Sequence, residues 1–271
     1  MTHEQNGFIN INGGELYYEI GGAGDMLVLD HAGFVDSGMW NDQWSDFTKH
    51  FQVIRYDMRG FGKSDPANGS VCRRDDLYQL LKHLDVKAAH ILGCSMGGTN
   101  VIDFALEHPD MVKSLTVVSA TPSGFELQGA PPPHMMEMIQ AAQKGDIALT
   151  SELQIRIWVD GMYRQPEQVD PQVRAQAAAM NIIPVQNNTF AADAQPLNPL
   201  NPPAVGRLDA IHVPTLVIAG ALDHPEILRA ADVMQQGIQG AKKVVIPEAA
   251  HVPNMEQPGL FNAAVLDFLK G

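Results

Sequence analysis

Cysteine is scarce: Cys72 and Cys94 are the only two in 271 residues. That number builds no disulfide framework, so a packed core has to hold the fold. Basic residues are few, 18 Lys and Arg against 31 Asp and Glu, for a net charge of -13. The short basic clusters are Arg73-Arg74 and Lys242-Lys243. Phosphate contacts need clustered cations, so no nucleic-acid partner is expected, and an anionic membrane surface is disfavoured on the same ground. No apolar run approaches the roughly 18 residues of a spanning helix. The start, Met-Thr-His-Glu-Gln-Asn-Gly, shows no basic segment followed by an apolar stretch, so no export signal is expected and the cytoplasm is the default location. No Cys/His cluster is spaced as metal ligands, and neither metal nor cofactor is expected.

What is present suits one large α/β domain with an inserted segment. Hydrophobic residues make up 45% and charged residues 18%, enough to bury a sizeable core. Phe8 to Ile20 alternates around Asn12-Gly13-Gly14 and reads as a β-hairpin. Short apolar runs follow at Met26–Leu29, Val53–Tyr56, His90–Gly93 and Leu115–Val118. Such runs fit strands buried on both faces of a parallel sheet. Helical patterns lie between them at about Ser37 to His50, Arg74 to Leu84 and Gly97 to His108. The alternation argues for a parallel sheet with helical crossovers.

That rhythm stops after Thr121. Residues 122–206 hold Pro131-Pro132-Pro133, Pro199 and Pro202-Pro203, with helix-like stretches at Met135 to Lys144, Ile147 to Tyr163 and Pro171 to Asn181. A connection this long is rarely structureless, so it is expected to form a helical cap on a core made of residues 1–121 and 207–271. The strand rhythm resumes at Thr215–Ile218 and Lys243–Ile246, and a helix from about Pro258 to Leu269 closes the chain.

Gly93-Cys94-Ser95-Met96-Gly97 carries the Gly-x-Ser-x-Gly spacing. A nucleophile on a sharp strand-to-helix turn has an exposed oxygen and needs small neighbours. The apolar run before Ser95 and the helical pattern after it supply that context. A serine hydroxyl needs a base that is itself oriented by an acid. In chains with this elbow the order is Ser, acid, His. His251 follows the last strand and Asp223 follows the strand before it, so both lie at strand carboxyl ends, where ligands bind in open parallel sheets. Two preorganised donors are needed for an oxyanion. Met96, the residue after the nucleophile, is one candidate, and Gly33 in the His31-Ala32-Gly33-Phe34 loop is the other. His31 reads as a loop organiser.

In order along the chain, the His31-Ala32-Gly33 loop, Asp57-Met58-Arg59-Gly60-Phe61-Gly62-Lys63-Ser64, the elbow, Gly220-Ala221-Leu222-Asp223 and Ala250-His251-Val252-Pro253 resemble the landmarks of the α/β-hydrolase superfamily. The resemblance implies an eight-stranded, mostly parallel sheet beneath a helical lid. It further implies carboxylesterase, enol-lactonase, carbon–carbon hydrolase or perhydrolase chemistry. Two departures stand out. Asp30 replaces a usually apolar residue, and Ala32 stands where many relatives have glycine. Ser95 in place of an elbow aspartate disfavours epoxide and halide chemistry.

The leading expectation is hydrolysis of a small carboxylic ester or lactone through an acyl-enzyme on Ser95. Carbon–carbon bond hydrolysis or perhydrolysis with the same triad is the alternative, and a non-enzymatic receptor is a third reading. Phe34, Trp158 and Met162 are candidate substrate contacts. The methionines at 135, 136, 138, 162 and 180 suit either an adaptable acyl pocket or the cap's own core.

Overall fold

A computed structural model describes residues 5–67, 69–190 and 196–271. Residues 191–195, within the expected cap, lie outside that description. The strands are β1 (Gln5–Ile11), β2 (Gly14–Gly22), β3 (Met26–Asp30), β4 (Gln52–Tyr56), β5 (Ala89–Cys94), β6 (Val112–Val118), β7 (Thr215–Gly220) and β8 (Lys242–Ile246). They form one eight-stranded sheet in the order β1-β2-β4-β3-β5-β6-β7-β8. β1 pairs antiparallel with β2, β2 antiparallel with β4, and every later pairing is parallel.

The helices before β6 are α1 (Asn41–Phe47), α2 (Arg73–His83) and α3 (Met96–Glu107). Between β6 and β7 run α4 (Met135–Gln143), α5 (Ile147–Ile155) and α6 (Pro171–Gln186), and α7 (Pro225–Gly237), α8 (Pro253–Glu256) and α9 (Pro258–Lys270) follow. The sheet is buried on both faces because its strands alternate between two cores. On β3, Val28 packs with Leu77, Leu80, Val101 and Met234 of α2, α3 and α7. Its neighbours Leu27 and Leu29 pack on the other face with Phe47, Phe261 and Val265 of α1 and α9. A continuous apolar strand is therefore what this layering demands.

Some helix bounds differ from the sequence reading. Ser37 to His50 is not one helix. Asp36 Oδ1 accepts the Gly38 N–H and starts a 3-10 turn over Ser37–Trp40, and α1 begins only at Asn41. The stretch from Ile147 becomes a π-helical segment at Arg156–Asp160 and stops at Gly161, whose φ is 73°. α6 runs past Asn181 to Gln186, through Pro184. Exposed Ile182 and Ile183 break the periodicity that would have signalled it.

The Asp57–Ser64 segment is a structural knot. Asp57 accepts the N–H groups of Ser37 and Lys63, and Ser64 Oγ donates to the Asp57 carbonyl while accepting the Tyr17 N–H. Arg59 pairs with Asp76 at 3.0 Å, both buried. This knot pins β4 and the His31 loop beside the sheet's carboxyl edge. Among the described residues no helix is long and apolar enough to cross a membrane.

Candidate active site

β5 turns into α3 through a single residue. Ser95 sits in that turn with φ 54° and ψ -116°, a region L residues adopt only under constraint. Its N–H donates to the Val118 carbonyl at 2.8 Å. The flanking glycines are required by space. A Cβ on Gly93 would lie 2.3 Å from the Gly97 oxygen, and one on Gly97 would lie 2.6 Å from the carbonyl oxygens of Asp30 and His31. The motif spacing is thus the spacing of a turn pressed against backbone.

The carboxyl ends of β7 and β8 bring the two partners. Ser95 Oγ lies 2.8 Å from His251 Nε2, and His251 Nδ1 lies 3.0 and 2.9 Å from the two Asp223 oxygens. A carboxylate only accepts, so the imidazole proton belongs on Nδ1 and Nε2 is left to accept from the serine hydroxyl. Asp223 is 4% and His251 5% exposed, a setting in which both hydrogen bonds are little weakened by water. Asp223 Oδ1 also accepts the His224 N–H at 2.7 Å, which fixes the carboxylate plane. Cys94 is buried beneath the turn, and burial pushes its thiol well above the usual range. It stays a packed, protonated group.

Gly33 lies directly against Met96: a Cβ there would come within 3.1 Å of the Met96 side chain. The loop is pinned at both ends. His31 Nε2 accepts the Met58 N–H at 2.8 Å, and burial lowers the His31 pKa to about 4, so it is a neutral acceptor. At the other end the Phe34 carbonyl accepts from Asn181 of α6 at 2.7 Å. His31 therefore organises the loop.

Ser95, Asp223 and His251 open on a cavity of about 450 Å³. Trp158 and Met162 line it, with Thr121, Pro131–Pro133, Met135, Ile157 and Arg156. The π-helical turn presents Arg156, Ile157 and Trp158 consecutively to the cavity, and widened turns of this kind recur at functional sites. Phe34 is placed differently from its expected position. It is buried behind the wall and stacked on Trp158 at a ring separation of 5.5 Å. Of the methionines, Met135 and Met162 reach the cavity, Met138 is buried with Leu153 in a cluster between α4 and α5, and Met136 faces outward.

Two supporting contacts had no local signal in the sequence. Buried Glu256 accepts the Ala250 N–H at 2.7 Å and pairs with Arg164 at 2.6 Å, which ties the chain after α5 to the His251 loop. Burial raises the Glu256 pKa, against the pull of Arg164. Asp160, fully buried, is held by Arg174 at 2.7 and 3.1 Å. Arg156 approaches the same carboxylate only at 3.4 Å.

A mostly parallel eight-stranded sheet flanked by helices, with a strained strand-to-helix turn after its central strand, is the architecture of the α/β hydrolases. The chain belongs to the α/β-hydrolase fold family, whose model matches residues 25–258. It is similar to 3-oxoadipate enol-lactonase 1 of Acinetobacter baylyi, 26% identical over 251 residues that cover 90% of this chain and 88% of that protein. It is also similar to the 2-hydroxy-6-oxononadienedioate/2-hydroxy-6-oxononatrienedioate hydrolase of Paraburkholderia xenovorans, 25% identical over 97% of this chain and 94% of that one. Among solved structures, a thermophilic esterase from Thermogutta terrifontis matches with a TM-score of 0.79 and 26% identity over 98% of both chains. At the level of the family the chain is a hydrolase.

Proposed function

We propose that this chain is a serine hydrolase that cleaves a small carboxylic ester or lactone through an acyl-enzyme on Ser95. The observation that carries this reading is the unbroken series from Ser95 Oγ through His251 to Asp223, opening on the cavity. Ser95 Oγ attacks the acyl carbon as its proton passes to His251 Nε2, and Asp223 stabilises the imidazolium that forms. The N–H groups of Gly33 and Met96 hold the oxyanion. The bond to the alcohol oxygen breaks as His251 returns its proton to that oxygen, and in a lactone the alcohol stays tethered to the acyl group. Water, deprotonated by the same histidine, then releases the acid. Residues 122–206 act as a cap that walls the acyl site, over a core of 1–121 and 207–271.

Fluorophosphonate labelling tests the reading most directly. Purified protein is expected to take up one equivalent, on the peptide that contains Ser95, with loss of esterase activity. Absence of labelling would favour a receptor over an enzyme.

Carbon–carbon hydrolysis is the second reading. It is favoured by Arg156, which lines the cavity, and by the relative named as a hydrolase of 2-hydroxy-6-oxononadienedioate, a dicarboxylate. A panel of neutral esters, carboxylate-bearing esters, enol-lactones and dienol ketones separates the two. Arg156→Gln is expected to raise KM for substrates with an acyl-chain carboxylate roughly tenfold to a hundredfold, from the ~1.5–3 kcal/mol of a charge-assisted hydrogen bond. The penalty on neutral esters should be at least about tenfold smaller, which steady-state kinetics on matched pairs will show.

A further inference from the structure

β3 ends on a carboxylate in an apolar setting. Leu27, Val28 and Leu29 are buried apolar residues, and Asp30 after them is fully buried. Its Oδ2 accepts from Asn100 Nδ2 at 2.7 Å. Asn100 belongs to α3, the helix that starts at Met96, and Asp30 is the residue from which the 31–34 loop departs. The two segments touch along their backbones, since only the lack of a Cβ on Gly97 lets the helix lie against the Asp30 and His31 carbonyls.

The groups facing Asp30 come from every neighbouring element. Asn100 is contributed by α3, Tyr56 by β4 and Arg73 by α2, with the backbone N–H of His31 next in the chain. Asp30 Oδ1 and the Tyr56 hydroxyl are buried without a well-formed hydrogen bond among the described residues. Each nevertheless acts on the ionisation of the other. An apolar residue would fill this position without the cost of burying a carboxyl group. Packing alone tolerates sliding, whereas a hydrogen bond fixes its partners to a few tenths of an ångström.

We propose that Asp30 is a positioning residue for the oxyanion hole: its bond to Asn100 fixes the root of the 31–34 loop on α3 and so sets the spacing of the Gly33 and Met96 N–H groups. The inference rests on the reading of Ser95 as nucleophile. The donors must meet a charge that exists only in the transition state, so a slip of about 1 Å costs on the order of a hundredfold in rate and little in substrate binding. Burial also raises the Asp30 carboxyl to a pKa of about 7. Below that pH the group is neutral, and above it a carboxylate sits behind the site where negative charge has to develop. The Asp30 contribution to the rate is therefore expected to fall as pH rises through about 7.

Three variants test this, with rates normalised to sites titrated by fluorophosphonate. Asp30→Asn keeps an acceptor for Asn100 and removes the titration. It is expected to retain kcat within about threefold at pH 6 and to lose the descending limb expected of the parent above neutrality. Asp30→Leu, and the double variant Asp30→Leu/Asn100→Leu that removes both members of the pair together, are expected to lose about tenfold to a hundredfold in kcat with KM within threefold. A double variant with parental kcat, or a descending limb that survives in Asp30→Asn, overturns the inference. Should the leucine variants fail to fold, the Asp30→Asn profile still decides. If Ser95→Ala is inactive while the Asp30 variants keep full kcat, this inference alone fails; if Ser95→Ala remains active, the reading of the whole site fails.

Discussion

Ser95→Ala is expected to lower kcat/KM for ester hydrolysis by about ten-thousand-fold or more, with the fold intact. The side-chain oxygen is the only heavy atom removed, and it lies 2.8 Å from His251 Nε2, the proposed base. Without it His251 and Asp223 have no nucleophile to activate, and the residual rate comes from the oxyanion donors and substrate binding alone. Stability should hardly change. Alanine carries the same Cβ into the φ 54° turn, so the backbone strain is neither relieved nor increased. Circular dichroism melts checked beside single-turnover kinetics should give parental unfolding and vanishing acylation. Asp223→Asn acts by another route. An amide can donate to Nδ1, which turns the imidazole to the tautomer with its proton on Nε2, and a base protonated there cannot take the serine proton.

The parts of this site that are legible in the sequence are those set by local chemistry. The elbow announces itself because a turn pressed against the Asp30 and His31 carbonyls admits only glycine at 97. Asp223 and His251 are legible because a parallel sheet gathers its strand carboxyl ends on one edge. The strands are legible by the same logic, since runs such as Thr215–Gly220 are buried throughout, whereas their order in the sheet is set by pairings that no run encodes. The remainder depends on pairs that sequence separation hides. Asn181 holds the Phe34 carbonyl from 147 residues away, and Asn100 meets Asp30 across 70. No pattern around Asn181 signals its target, because an asparagine on a helix is ordinarily a solvated one. Phe34 shows the converse. Its place in the loop suggests a substrate contact, but stacking against Trp158 puts it one layer behind the cavity.

Gly220→Ala is expected to damage stability and catalysis together. A Cβ on Gly220 would lie 2.0 Å from the Ala250 oxygen and 2.4 Å from the Ala249 oxygen. Both are backbone atoms, so no rotamer change relieves the contact and the ends of β7 and β8 must separate. The Ala221 N–H to Ile246 and Leu222 N–H to Ala249 bonds, at 2.9 and 2.8 Å, cross that junction. Overpacking that moves backbone costs about 3 kcal/mol, which at roughly 2–4 °C per kcal/mol lowers Tm by about 6–12 °C. The same displacement acts on the reaction, because Asp223 lies just beyond Gly220 and His251 follows Ala250. A separation of about 1 Å between them should cost on the order of a hundredfold in kcat. Gly259→Ala is the matched control. Gly259 lies in α9 with nothing within 4 Å of an added Cβ, and alanine is the better helix former by up to about 1 kcal/mol. Its Tm should hold or rise at parental kcat. Scanning calorimetry and kinetics on the two variants therefore distinguish a crowded junction from a general intolerance of alanine for glycine, and a parental Tm for Gly220→Ala would mean that the β7 and β8 ends are not packed as described.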